Sequence, residues 1–549
     1  MRPPRRLLAL LGLAAVFPVV EAIILVMVPF RSAEGLIPQS SAVWPYDLYH
    51  DMRWVLVYHN SWLTFGLLVL GVIVLRGLYS AALVGLAWPE GVRRPAFPAL
   101  VRRNLEIAAV TAVLVLPFAA YAVAASVVSL SWFLFVSLGP MLLLAPFLQR
   151  MAVGRGLWRG LPSAELLGWS LLDFVVISVA GGVVWEVPEP VTPLVAAVAG
   201  AVNGLLWNRT VRAAVLQRHV RWRRVPAVPI VVVLALATPL AAQTITSPRH
   251  ETNTFTPPIF DRPLPERVRY AVILLAGHDS AYDGRPSGDP AVERFSYAGL
   301  DASGRPLPYR WLDTHRSLGS SAELLAAQVD AVHRRTGRPI ALVGESEGAM
   351  VARRYVGDRP DPRVQALAMF SPLVRAGRTY YPPRDASTGW GLAAGWVLRG
   401  MFAVTQVGRT AATTPDEPFI RSLMDEGGPF YRLHMLCPVP GVREIAFLPT
   451  VTAAEAPPAP YIRIPAVETP SFHGGFLGRP VIEDQLIDFL AGEEVNVRRR
   501  EFGLLQRLGA GWHAPSLALR INPVWEPIVP PGLPAFSTGY YCRPLRQPG

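Results

Sequence analysis

The chain has 549 residues, 51% hydrophobic and only 17% charged, against about 25% charged in an ordinary soluble domain, which excludes a wholly soluble protein. Its formal charge is +12 and all 52 basic residues are arginine, a composition that, with its alanine and proline, is typical of a GC-rich bacterial genome. The arginines fall in short loops between apolar runs, so the basic excess reads as membrane topology, and no nucleic-acid partner is expected.

A transmembrane helix needs about 20 apolar residues. The first half supplies seven such runs, at 7–28, 54–75, 105–128, 131–148, 166–185, 191–207 and 225–242. The second continues through Arg76 to Trp88, so its boundary can slide by half a helix. Arg2, Arg5 and Arg6 precede the first run; Arg93, Arg94, Arg102 and Arg103 separate the second and third. Arg150, Arg155 and Arg159 separate the fourth and fifth, and Arg209, Arg212, Arg218, Arg221, Arg223 and Arg224 the sixth and seventh. The alternate loops are acidic, carrying Glu34, Asp47 and Asp51 or Glu186 and Glu189. Short cytoplasmic loops carry the basic excess, which predicts an inside N-terminus and an extracytoplasmic chain after Ala242. The seventh run resembles a secretory signal with a cleavage site; an internal span is the simpler reading. Glu21, Asp173 and Asn203 lie inside spans, where helix–helix hydrogen bonds or a neutral carboxyl are expected before transport.

Residues 1–244 thus read as a polytopic helical domain and 245–268 as a Pro- and Thr-rich linker. Beyond it, "RYAVILLAG" is a continuous apolar run of the kind that forms a buried parallel strand. "SAELLAAQVDAVHRRTG" has helical periodicity and closes on Gly337; "RPIALV" is again a strand and "AMVARRYV" a helix. Alternation of strand and helix predicts an α/β domain with a mostly parallel sheet over 269–500. Gly344-Glu345-Ser346-Glu347-Gly348 sits at a strand-to-helix turn, where the two glycines allow a sharp bend that lifts the serine hydroxyl. The alternative is a structural serine in a polar turn.

In that setting the G-x-S-x-G stretch resembles the nucleophile elbow of α/β-hydrolases, lipases and esterases among them, and the resemblance runs from about Arg269 to Leu490. It implies Ser346 as nucleophile and His473, in "PSFHGGFLGRP" before an amphipathic helix, as base; His278, His315, His333 and His434 fit that place less well. It implies backbone N–H groups of His278 and Glu347 as oxyanion donors, although the family's frequent His-Gly pair is here Ala276-Gly277. The acid should lie between Ser346 and His473: Glu455 is the first candidate and Glu468 the alternative, where the family more often has aspartate. Glu345 and Glu347 are expected to face the N-terminus of the following helix. The insertion 374–442 stands where the family carries a cap, and the tail 501–549 is Pro-rich.

Cys437 and Cys542 have no CxxC spacing, so neither metal nor cofactor is expected; outside the cytoplasm they can pair, or remain two buried thiols. The expected activity is cleavage of carboxylic esters or thioesters of lipid or other acyl substrates at a bilayer. An acyltransferase using the same acyl-enzyme, or a membrane scaffold with an inert hydrolase-like domain, are the rivals. Neither the acyl chain nor the oligomeric state is legible.

Overall fold

The computed structural model describes residues 5–154, 159–216, 224–246, 263–405, 414–425, 427–450, 462–474, 476, 479–495, 497, 508–509, 511–536 and 542. The first half is helical: α1 (Arg5–Met27), α2 (Tyr46–Val57), α3 (Trp62–Ala87), α4 (Phe97–Val128), α5 (Ser131–Val153), α6 (Ala164–Glu186), α7 (Thr192–Leu216) and α8 (Ala227–Thr246). Among the described residues six helices, all these but α2 and α8, are long and apolar enough to cross a bilayer, which fits a multi-pass membrane protein. The seventh predicted run forms α8, whose 20 residues extend about 30 Å.

The second predicted span, 54–75, is displaced. α2 ends at Val57 and α3 begins at Trp62, because Ser61 and Thr64 form a reciprocal capping box at its start. The acidic stretch before it, expected as an outer loop, folds inward as a 3-10 turn (Arg31–Ser41) followed by α2, and is buried almost throughout. Its Asp51 and His50 find partners inside the protein, as buried charges ordinarily do. Asp51 accepts from Arg76 Nε and Nη2 at 2.6 and 2.7 Å. His50 lies 2.8 Å from the same carboxylate and 3.0 Å from Glu21 of α1, so Glu21 does join two helices. Asn203 donates to the Ser41 carbonyl at 2.7 Å.

The second half builds a six-stranded, wholly parallel sheet from β1 (Ala271–Leu275), β2 (Val292–Arg294), β3 (Ile340–Glu345), β4 (Val364–Phe370), β5 (Arg443–Pro449) and β6 (Ala466–Thr469), in the order β2-β1-β3-β4-β5-β6. β1 is buried along its whole length and β3 up to its last residue, as strands covered on both faces are. Helices α9 (Leu318–Thr336) and α10 (Glu347–Asp358) pack on the central strands, and Gly337 ends α9 in the left-handed conformation predicted for it. Between β4 and β5 the insertion carries α11 (Leu392–Thr405), α12 (Pro418–Met424) and α13 (Gly427–Leu433); α14 (Pro480–Ala491) follows β6.

Hydrogen bonds join the halves at the end of α4 and along the tail. The end of α4 leaves backbone carbonyls without donors from its own helix, and the insertion supplies two: Gly377 N–H donates to Val127 O at 2.9 Å and Arg378 N–H to Ser126 O at 3.1 Å, while Thr379 Oγ1 adds a bond to Val123 O one turn back at 3.0 Å. Beside it, Gly389 and Gly391 N–H reach the Asn60 and His59 carbonyls. Along the tail, Trp512 stacks on Phe174 at 4.8 Å and donates to Ser178 Oγ, while Arg53 donates to the Gly511 and His513 carbonyls at 3.3 and 2.7 Å. Gly511 approaches the Gly35 carbonyl so closely that a Cβ on it would lie 2.5 Å away. Farther on, the tail crosses to the insertion, with Leu517 N–H on Arg378 O and Trp525 Nε1 on Met424 O. A disulfide between Cys437 and Cys542 fastens it there.

Arg53→Ala strips two buried carbonyls of a charged donor, each such bond contributing about 1.5–3 kcal/mol. The expected result is a lower unfolding temperature and protease cleavage within 501–536; unchanged protection would show that the tail docks without it.

Candidate active site

β3 is a run of buried apolar residues that ends at the sheet's C-terminal edge, and the chain turns there at Ser346, with φ 52° and ψ −116°, before α10 begins. A positive φ at a non-glycine residue costs about 1–3 kcal/mol and needs rigid surroundings. Here Ser346 N–H donates to Phe370 O at 2.9 Å, and the helix lies hard against the sheet. A Cβ at Gly348 would come within 2.3 Å of the Leu275 carbonyl, and one at Gly344 within 2.5 Å of Ala349 N. Both glycines are therefore required by close approach.

His473 reaches the serine from a loop after β6: its Nε2 stands 2.8 Å from Ser346 Oγ, across 127 residues of sequence. Gly474 N–H donates to Ser371 Oγ at the end of β4, and Ser371 N–H to Phe447 O of β5, so three strand ends hold this loop. Burial alone pushes the His473 imidazole down to about 4, which leaves it neutral and able to take a proton at pH 7.

Of the two acid candidates, Glu455 lies outside the described residues. Glu468 is buried in β6, and among the described residues no carboxylate lies within ion-pair distance of His473. Glu345 is closer to the loop than sequence reasoning indicated: its Oε1 is 3.5 Å from where a Cβ on Gly474 would sit, and burial pushes it up to about 7. No periodicity or spacing in the sequence signals that contact.

The loop after β1 touches the serine. A Cβ on Gly277 would lie 3.0 Å from Ser346 Cβ, so the loop presses its backbone against the turn, with His278 next in the chain. His278 and Glu347 are also joined through their side chains, Nδ1 to Oε2 at 2.8 Å. The Glu347 carboxylate is thus buried against an imidazole instead of simply facing its own helix terminus. Burial pushes Glu347 up to about 7, and His278 draws it partly back. Burial pulls His278 down, but Glu347 and Glu417 outweigh it and raise the imidazole well above its ordinary value. Behind it lie His315 and, from the insertion, Glu417, neither of which sequence reasoning assigned to the site.

An open cavity of about 570 Å³ lies at the opposite edge of the sheet, lined by Arg443, Glu444, Ile464 and Phe489, and contains none of these groups. The chain matches no known family model and no curated protein.

Two outcomes are expected. Gly277→Ala forces the loop away from Ser346 and lowers its reactivity toward a fluorophosphonate by about tenfold or more, as small misplacements do at reacting centres. If burial alone sets the His473 imidazole, labelling stays level from pH 7 to 5 and falls as pH drops through about 4. A fall centred near 6.5 would mean that an acid partner restores the ordinary value.

Proposed function

We propose that the protein is a membrane-anchored serine hydrolase of the α/β-hydrolase type, cleaving carboxylic ester or thioester bonds of lipid or other acyl substrates. The observation that carries this reading is Ser346, held at positive φ on a strand-to-helix turn with the neutral His473 imidazole 2.8 Å from its hydroxyl. A serine alcohol is a poor nucleophile until a base takes its proton. In the proposed reaction Ser346 Oγ attacks the acyl carbonyl as its proton passes to His473 Nε2. Backbone N–H groups of His278 and Glu347 stabilise the oxyanion. Collapse expels the alcohol or thiol, which leaves with the proton from His473; water, deprotonated by the same imidazole, then releases the acid and frees Ser346. Glu455 is the proposed acid that orients His473, with Glu468 second.

A lipid substrate is supported by the surroundings of the site. Phe472, adjacent to His473 and 58% exposed, meets Phe135 of α5 edge-on at 6.2 Å, and Phe135 is itself 48% exposed on a spanning helix. An acyl chain lying along α5 would reach the serine without crossing water. α11 of the insertion packs on α4 and presents Trp396 and Val404 outward, as a cap facing a bilayer would.

The α/β domain meets the helical half at His59, Asn60 and the end of α4, whereas the arginine-rich connections lie at the other helix ends. With those connections cytoplasmic, the domain faces the outside, where the Cys437–Cys542 disulfide is stable.

The test is fluorophosphonate labelling of the full-length protein in lipid nanodiscs. Ser346→Ala abolishes labelling and His473→Ala lowers its rate by roughly 10³-fold or more. Glu455→Gln costs roughly 10²–10⁴-fold and Glu468→Gln little. A folded parent that never labels would overturn the hydrolase reading.

A further inference from the structure

Beside the serine, three groups meet from three separate segments: His278 from the loop after β1, His315 from the 3-10 turn Trp311–His315, and Glu417 from the residue preceding α12 in the insertion. His278 Nε2 lies 3.0 Å from one Glu417 oxygen and His315 Nδ1 lies 3.0 Å from the other. Neither Glu417 oxygen, and not His278 Nε2, has an aligned hydrogen bond, although Glu417 is 3% exposed. Buried carboxylate oxygens ordinarily have such partners, and their absence calls for a ligand.

The second nitrogen of each ring is occupied in a telling way. His278 Nδ1 pairs with Glu347 at 2.8 Å and His315 Nε2 with Asp279 at 2.8 Å. An ionised carboxylate only accepts, so against ionised Glu347 and Asp279 these nitrogens carry the protons. If the nitrogens facing Glu417 were protonated too, two imidazolium rings would stack face to face at 4.6 Å. A divalent cation between them removes that repulsion, leaving both rings neutral. A carboxylate behind each ligating imidazole is the arrangement that orients histidines in metal centres.

We propose that His278 Nε2, His315 Nδ1 and the Glu417 carboxylate form a divalent transition-metal site of zinc type, which clips the insertion to the loop beside Ser346. Two imidazoles and a carboxylate suit zinc, with a position left for water. The candidate ligand atoms lie within 4.8 Å of one another; ligands at about 2.1 Å around a tetrahedral ion are roughly 3.4 Å apart, so the widest pair draws in on binding. His278 and His315 are both partly exposed, giving the ion a way in. The metal would fix Glu347 and His278 together, and with them both expected oxyanion donors; this last consequence, unlike the site itself, rests on the hydrolase reading.

The experiment uses full-length protein in detergent, stripped with chelator and titrated with Zn²⁺ and, separately, Co²⁺. Expected are saturable binding of one ion per chain, a rise in unfolding temperature, and a tetrahedral Co²⁺ absorption band. Glu417→Gln and His315→Ala weaken binding by about 100-fold or more, and Asp279→Asn, which neutralises the carboxylate behind His315, by about 10–100-fold. No saturable binding by the stripped, folded parent overturns the site, as does a folded Glu417→Gln variant that binds like the parent; the parent titration holds even where a variant fails to fold. Fluorophosphonate labelling of the same samples separates the two ideas. Metal bound one to one with Ser346 inert sustains the site and overturns the hydrolase reading. Reactive Ser346 without saturable metal does the reverse.

Discussion

The carbonyl groups at the end of α4 set the arrangement of everything downstream. A helix cannot satisfy its own last carbonyls, and near a bilayer core there is little water to do so. Here the donors are backbone N–H groups of Gly377 and Arg378, several residues after β4, with the Thr379 hydroxyl on Val123 O one turn back. Backbone donors leave little freedom: the chain leaving the sheet must run along the helix end, at Gly377 with a φ of +64° and no room for a Cβ beside Leu423 O. The sheet is thereby held at one end of the bundle, and the C-terminal edge of β3 and β6 opens beside α5.

Within that frame the strained turn at Ser346 is a local problem with a local answer. Its cost, about 1–3 kcal/mol, is small beside the burial of β1, β3 and β4, whose apolar residues are almost wholly removed from solvent. The turn persists because α10 cannot move outward without losing its fit against Leu275 at Gly348. Rigidity passes from there to the loop after β1 through Gly277, and to the histidine loop through Ser371. Each connection is a close backbone approach or a hydrogen bond from a backbone N–H, which long side chains could not hold as firmly.

What the sequence made legible was whatever is decided locally. Apolar runs of membrane length, a buried strand followed at once by a helix, and a histidine just before the last amphipathic helix are all readable within some 20 residues. The second span went astray because an apolar run hides its own start; the Ser61 and Thr64 cap was the better signal. The acidic 31–57 stretch was misplaced for another reason: Asp51 and His50 find Arg76 and Glu21 on other helices, and nothing local announces those partners. The same holds at the site. Ser346 and His473 sit where local pattern put them, whereas Glu345 beside the histidine loop and Glu417 beside His278 depend on how separate segments meet. Trp512 and Trp525 looked like an aperiodic tail, yet each is fully buried against a different half of the molecule.

That tail has a consequence for how the protein is made. Gly511 fits against Gly35 and Gly181, so the first helices of the chain keep an open seat until residue 511 has been synthesised. Closing a loop of that length carries a modest additional entropy cost, but it must wait for the residues to exist. A ribosome adding about 5–20 residues per second spends tens of seconds between the two. During that interval Arg53 lacks its bonds to the Gly511 and His513 carbonyls, and Phe174 lacks the ring of Trp512. The bundle is therefore sealed by residues made long after its own helices, and a chain stopped before residue 511 would leave that seat open.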